Sequence, residues 1–494
     1  MLSGFGLSSC PRQNVTDETV TKIFSAANVM QNQIPDPQRP ASTDVTESQL
    51  ECQTPGGIAT TGHDPYSALR VPAYRRYLLG TTLFFIGEQM RTAAVGWEVA
   101  LRSARPAAAL SLVGLVGAAP VILLALPAGH LADSVNRKYL TLVTLVLGAL
   151  CSVGLAIVSM THGPLLTVFL LLLGGATFAA AGGPARSSLL AQIVPLENYS
   201  NATTWGSNFF QISAMTGPAL AGAIIAVGTV HFRHRVLPTL PLAYVIDALC
   251  AIAFAGLLFS TAVRPAERRG HAASLRTLLA GIRFVHENKI ILATITLDLF
   301  AVLLGGATYL LPIFARDVLH VGAVGFGWLR AAPAIGAFVM ALFVAHLPPM
   351  KHAGRNLLLA VTGFGLATIV FGLSTSFLLS MAMLFLTGAF DNISVVVRHT
   401  LVQVLTPDSM RGRVSAVNNV FIGASNELGG FESGQTAQWF GPFWSVVGGG
   451  IGTILVVILV AAIWPQVRRF GSLADAKPIE EPEPRGFEVS AVEK

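Results

Sequence analysis

Charge is scarce in this sequence. Only 12% of its 494 residues are charged, against 53% hydrophobic. A soluble domain carries about twice that charge. A large water-soluble core is therefore excluded, and a mean hydropathy of +0.63 points to a polytopic membrane protein. Cysteine is nearly absent too. Cys10 and Cys52 lie in a polar N-terminal stretch, and Cys151 and Cys250 lie inside apolar runs. None has metal-ligand spacing, so neither a disulfide framework nor a metal site is expected. The chain contains no phosphate-binding G-x-x-x-x-G-K-[ST] loop, no H-E-x-x-H pair and no nucleophile elbow. Neither an enzymatic activity nor a cofactor is expected. No basic region leads into an apolar one at the N-terminus, so no signal peptide is read there. The net charge of +6 would suit a nucleic-acid binder. The basic residues, however, sit in short links between apolar runs, where orientation signals belong. No nucleic-acid partner is expected.

What the sequence does have is a succession of apolar runs, each near the length of about 20 residues that spans a bilayer. They fall at 77–99, 109–131, 139–160, 163–184, 202–228, 237–262, 288–316, 321–345, 355–374, 376–397, 412–436 and 441–464. All should be helical, because lipid offers no partner to an unpaired backbone group. The expected domains are a disordered tail (1–70), a first bundle (71–262), a linker (263–287), a second bundle (288–466) and a disordered tail (467–494). Within the linker, Leu275, Leu278, Leu279, Ile282 and Val285 recur at helical spacing, with Arg276 and Arg283 off the stripe. That pattern predicts an amphipathic helix lying on the membrane surface. Arg75, Arg76, Arg137, Lys138, Lys351, Arg355, Arg411, Arg413, Arg468 and Arg469 fall on one side of the membrane. Arg102, Arg105, Arg233, Arg235 and Arg316 fall on the other. The bias predicts both termini in the cytoplasm.

The chain repeats itself. GHLADSVNRKYL (Gly129 to Leu140) returns in worn form as AHLPPMKHAGRNLLL (Ala345 to Leu359), without the aspartate. RSSLLAQIVPLENYSNA from Arg186 is echoed by RHTLVQVLTPDSMRGRVSA from Arg398, with Pro195 and Pro407 at the same offset. The fold expected is an all-α integral membrane protein, with twelve transmembrane helices in two six-helix pseudo-repeats. Duplicated halves around a mid-membrane site suit a rocking transporter.

The motif formed by Gly129, Leu131, Asp133, Arg137 and Lys138 resembles the signature loop of the major facilitator superfamily, with Asn136 where the family usually has glycine. The resemblance covers roughly residues 66 to 468. DPYSALRVPAYRRYLLG, LPIFARDVLHVGAVGFGWLRAAPAIGA and LTPDSMRGRVSAVNNVFIGASNELG are similar to the bacterial exporter branch, which includes enterobactin-type siderophore exporters and some macrolide efflux proteins. The resemblance implies that the loop meets the eleventh span, and that Asp133 at that helix N-terminus latches an outward-open state. SAMTGPALAG, with Gly217, Pro218 and Gly222, resembles the antiporter motif of drug-exporting relatives, although Ser213 and Ala221 replace two of its glycines. The fourth span lacks the mid-span arginine of many such relatives.

An ionisable side chain inside a span costs about 3 kcal/mol on insertion scales and requires a reason. Glu88, Arg91 and Glu98 share one helical face, where Glu88 and Arg91 can pair. They are cavity-lining candidates together with Arg330, Asn426 and Glu432. Glu427, Asp391, Asp298 and Asp247 are the proton-coupling candidates, because a buried carboxylate can exchange protons near neutrality. Phe84, Phe85, Met90, Trp97, Tyr244, Phe300, Tyr309 and Phe390 are the aromatic and flexible residues that could hold a greasy solute. The expectation is a secondary active transporter, proton-coupled and exporting a small amphipathic solute of siderophore or drug-like character. An importer of the same fold and a non-transporting sensor or scaffold are the alternatives. The expected partners are a small-molecule substrate, protons and the lipid bilayer, with the chain monomeric in a bacterial inner membrane.

Overall fold

A computed structural model describes residues 64–232, 235–264, 275–348 and 350–472. Six long helices form the first half: α1 (Pro72–Arg102), α2 (Pro106–Ser134), α3 (Arg137–Met160), α4 (Leu165–Ile193), α5 (Tyr199–Ala226) and α6 (Leu240–Phe259). The linker helix α7 (Leu275–Glu287) follows. The second half holds α8 (Lys289–Leu304), α9 (Gly322–Ala345), α10 (Ala353–Leu373), α11 (Phe377–Leu405), α12 (Asp408–Phe440) and α13 (Pro442–Ile463), closed by α14 (Pro465–Arg469). The twelve-helix expectation is met. Ten spans are long and apolar enough by composition alone. The two outside that set are α1 and α12, which carry Glu88, Arg91 and Glu427.

Local chemistry sets the breaks. Pro106, Pro442 and Pro465 open their helices, where a missing N–H costs nothing. Asn136 caps α3, its side chain accepting from the Lys138 N–H at 3.0 Å. Gly441, at φ 85°, makes the tight turn from α12 to α13. The seventh span, expected to be continuous, is interrupted at Gly305–Gly306 and continues as short turns through Ala307–Leu310 and Phe314–Val318. The outer link between α5 and α6 forms a small antiparallel ribbon, β1 (Thr229–Phe232) with β2 (Arg235–Pro238), that the sequence reading did not anticipate.

Some segments differ from expectation. Residues 64–70, placed in the tail, pack on α5: Ala68 is fully buried, and the Trp205 indole donates to the Pro65 carbonyl at 3.0 Å. The rest of that tail and residues 473–494 lie outside the described residues. The linker helix does form, but its apolar stripe is divided. Val285 of the stripe is buried against the second half, with Phe284 beside it, whereas Leu279 and Ile282 are exposed. The cause is Gly281, where a Cβ would lie 3.0 Å from the Arg413 carbonyl oxygen, so that face lies flush on α12.

Packing divides the molecule into two faces. We call the side holding the Gly129–Leu140 link the loop face, and the opposite side the far face. On the far face one hydrophobic core runs through both halves, from Met90, Leu110 and Tyr244 to Leu311, Phe326 and Phe371. On the loop face the core splits. One cluster, including Tyr74, Leu189 and Phe254, belongs to the first half. Another, including Ile291, Leu357 and Leu401, belongs to the second. Glycines make the far-face seam. A Cβ on Gly114 would lie 2.6 Å from the Phe431 nitrogen, and one on Gly327 would lie 2.7 Å from the Pro218 carbonyl oxygen. Ser111 donates to the Phe431 carbonyl at 2.9 Å, Arg316 donates to the Ala100 carbonyl at 2.6 Å, and Trp97 stacks on Phe326. On the loop face, by contrast, a Cβ on Gly183, Gly206 or Gly412 would meet nothing. The halves are thus joined backbone to backbone on the far face and packed around separate cores on the loop face.

Candidate functional site

Polar residues gather at mid-membrane depth within each half. In the first half, α1 brings Arg91 to Asp247 of α6, with Nε 3.1 Å from the carboxylate. Ser152 of α3 donates to the same carboxylate at 2.6 Å. Glu88 lies 3.9 Å from Arg91, so the expected Glu88–Arg91 pair is the weaker of two contacts. Asp247, expected as a proton-coupling residue, is the main counter-ion of Arg91. Gly87 makes the arrangement possible, since a Cβ there would fall 2.9 Å from the Asp247 backbone. A cavity of about 30 Å³ adjoins Glu88, Arg91, Ser152, Arg186 and Asp247. That is room for one water. The Arg186 guanidinium lies 4.6 Å above the Phe84 ring and 5.8 Å from Phe85.

Glu98 does not join this group. It is buried near the far end of α1, bonded to Arg102 at 2.6 Å and accepting from the Tyr244 hydroxyl at 2.6 Å. Helical spacing puts it on the Glu88 face, but the ten residues from Glu88 also carry it roughly 15 Å along the axis. Trp97, Tyr244 and Met90 belong to the far-face core, not to a solute pocket, and Phe300 lies on the exposed surface.

In the second half, the interruption at Gly305–Gly306 lets backbone line a cavity of about 170 Å³. Asp391, Asn426, Tyr309, Thr368 and Thr387 project around it. Irregular backbone at membrane depth is tolerated where it lines such a space. Asp391 has no hydrogen bond or ion pair among the described residues. It also borders a second cavity of about 10 Å³, shared with Asp298 and Ser394. Asp298 forms a buried ion pair with Arg398. The Arg398 Nε, buried beside it, has no hydrogen-bond partner.

Glu427 is placed differently. Tyr309 donates to its carboxylate at 2.7 Å, and Arg330 stands within electrostatic range of both. The same carboxylate rests against Gly117 of the opposite half, in the place a Cβ there would take. Glu427 therefore sits on the seam itself. Glu432 accepts only a long 3.4 Å bond from Ser433 and does not line the cavity of Asp391. Gly217 packs on Ile86 and Gln89 within the first half, while Gly222 meets Ala323 and Gly327 across the seam. The antiporter-like segment thus supplies part of the seam.

The signature loop is closed on itself. Asp133 pairs with Arg137 at 3.0 Å, and Arg137 also donates to the Ala132 carbonyl. Lys138 donates to the carbonyls of Phe259 and Thr261 at 2.9 and 2.8 Å. Leu131 and Asp133 are exposed and Gly129 half-buried. Of these functional-looking contacts, reading the sequence missed Arg398 as an ion-pair partner, Ser152 and the Tyr309–Glu427 bond. Each partner lies on a different helix, and no spacing links them. Among the described residues, no cluster of His, Cys, Asp or Glu could hold a metal ion.

The family model described as transmembrane secretion effector, a group of the major facilitator superfamily, matches residues 63–486. The chain belongs to this family. The enterobactin exporter EntS of Citrobacter koseri is 26% identical over 401 residues, which cover 81% of this chain and 93% of that one. EntS of Escherichia coli O1:K1 is also 26% identical, over 344 residues, covering 69% of this chain and 80% of its own. Among solved structures, a bacterial homologue of the human lysosomal transporter Spinster, inward-facing and occupied, aligns with a TM-score of 0.63 at 16% identity over 83% of this chain and 98% of its own. A D-xylose–proton symporter aligns with a TM-score of 0.62 at 13% identity, over 82% and 100%. These two share the fold. The protein is a multi-pass membrane transporter of the major facilitator superfamily, embedded in lipid and built to move a small molecule.

Proposed function

We propose that the protein exports a small amphipathic solute, of siderophore or drug-like chemistry, from the bacterial cytoplasm in exchange for protons. In this reading it acts as a monomer in the inner membrane, with the loop face and both termini cytoplasmic. The observation that carries the reading is the single core on the far face against two separate cores on the loop face. A solute would enter between the halves from the loop face. The glycine seam would then part and the loop face would close, the halves moving as near-rigid bodies. The exposed Asp133 would reach the N-terminus of α12 only in that second arrangement, where the helix dipole favours an acid. The excess of Lys and Arg on the loop face supports the orientation. The likeness to enterobactin exporters supports the direction and the solute class.

Glu427 is the leading proton carrier, because the movement that parts the seam also uncovers its carboxylate. Asp391, unpaired beside a cavity, is the second. A neutral carboxyl is far cheaper to leave in a low-dielectric site than a charged one, so protonation would accompany closure around an empty site. One proton moving inward supplies about 2.3 kcal/mol per 100 mV, enough for roughly a fifty-fold solute gradient. The test is uptake into inverted vesicles of enterobactin, macrolides and dyes, with and without a proton gradient. The gradient should drive uptake of at least one of them. Glu427→Gln should keep solute binding and lose the pH response, with Asp391→Asn weaker in the same direction. Gradient-independent uptake would overturn the coupling, and uptake only into right-side-out vesicles would overturn the direction.

A further inference from the structure

The two copies of the signature link treat their basic residues differently. In the first, Asp133 neutralises Arg137, and two carbonyls hold Lys138. The second, Ala345 to Leu359, contains no acidic residue. Lys351 and Arg355 are exposed there, and neither has a hydrogen bond or ion pair among the described residues. Beside them lies a groove of about 450 Å³ between α9, α10 and α11. Met340, Phe343, Leu347, Leu359 and Phe390 line it, and Asn356 is its one polar residue. Met350 and Asn356, both in the lining, are the chain neighbours of Lys351 and Arg355, so the backbone that carries the basic pair lies beside the loop-face end of the groove. Phe343 is 60% exposed and Leu359 56%, so the groove opens sideways, toward lipid. The Phe390 ring forms part of its inner wall, held by Gly363, where a Cβ would come within 2.8 Å of the ring.

We propose that this groove is a site for an anionic phospholipid, with an acyl chain lying along Phe343, Leu359 and Phe390 and the phosphate held by Lys351 and Arg355. A dissolved anion would gain nothing from apolar walls that face the bilayer. A zwitterionic lipid would fill the walls, but its headgroup ammonium would stand beside the two cations and offset much of the attraction of its phosphate. Basic pockets between helices at a membrane surface suit acidic headgroups. Orientation charges alone would account for the two basic residues, but not for an apolar groove that begins where they stand. The site does not depend on solute, direction or proton coupling, so it stands or falls separately from the export reading.

The test uses the full chain in nanodiscs of equal phosphatidylethanolamine and phosphatidylglycerol with matched chains, read by native mass spectrometry of the lipid retained. At ~1 kcal/mol per basic residue, phosphatidylglycerol should be favoured about thirtyfold, and Lys351→Ala or Arg355→Ala should each cut that about fivefold. Leu347→Glu, a charge at the exposed groove edge, should also lower the preference. Arg75→Ala, a basic residue on the loop face of the other half, should leave it unchanged. Equal retention of the two lipids by the unaltered chain would overturn the proposal. So would a preference that survives the Lys351→Ala/Arg355→Ala double substitution, or one that Arg75→Ala lowers as much.

Discussion

Arg186 and Arg398 occupy the same place in the two halves, equally far from the ends of α4 and α11 and at the same offset before a proline. Their surroundings differ. Arg186 lies over the faces of Phe84 and Phe85 and borders a water-sized cavity. Arg398 is only 2% exposed and is clamped to Asp298 on α8. Duplication kept the cation and its helix but not its partner. An aromatic cradle lets a guanidinium slide and keep some water, whereas a buried ion pair locks two helices in one register. At this pair of positions the second half is the more tightly held. In the first half, the mid-membrane charges can rearrange, Arg91 being shared between Asp247 and Glu88.

Thermal unfolding in detergent would sharpen this contrast. Asp298→Ala strands a buried cation and should have the largest effect, a loss of about 3–5 kcal/mol. Replacing both partners, with Asp298→Leu and Arg398→Met, should recover most of that loss, since a well-packed apolar pair is often neutral or better. If the double substitution is as damaging as the single, the pair does more than fill the core. Asp247→Asn should cost about 1.5–3 kcal/mol, less than Asp298→Ala because Arg91 retains Glu88. Phe84→Leu should cost only about 1 kcal/mol, the scale of a partly hydrated cation–π contact. A loss as large as that of Asp298→Ala would remove the distinction between the halves. Asp133→Asn, at an exposed pair, should have the smallest effect on stability, within about 1 kcal/mol.

The parts legible in the sequence were those written in local order. Runs of apolar residues, Pro195 and Pro407, and the link around Asp133 gave the helices, the repeat and the family. The worn second link could be seen, but its meaning could not, because the groove beside it is made by three helices. The sequence pairs Glu88 with Arg91 because they are neighbours on one helix. The stronger bond goes to Asp247, which is far away in the chain and is brought close by Gly87. Glu98 was misplaced because a helical wheel ignores depth along the axis. The interruption at Gly305–Gly306 gave only a weak signal, since glycine pairs also occur inside unbroken spans such as Gly174–Gly175. Glu427 was singled out for its charge alone. Its position on the seam follows from Gly117 on the other half, a contact that no single stretch of sequence contains.

If the halves rock as proposed, the far-face seam and the loop-face side are two ends of one motion. Pulsed electron spin resonance in nanodiscs measures it directly, with labels at Val227→Cys and Val324→Cys flanking the seam, and at Gly206→Cys and Gly412→Cys across the loop face. As pH is varied in the presence of a transported solute, the first distance should lengthen while the second shortens, and Glu427→Gln should suppress both changes. Two distances that stay fixed, or that lengthen and shorten together, would contradict the account.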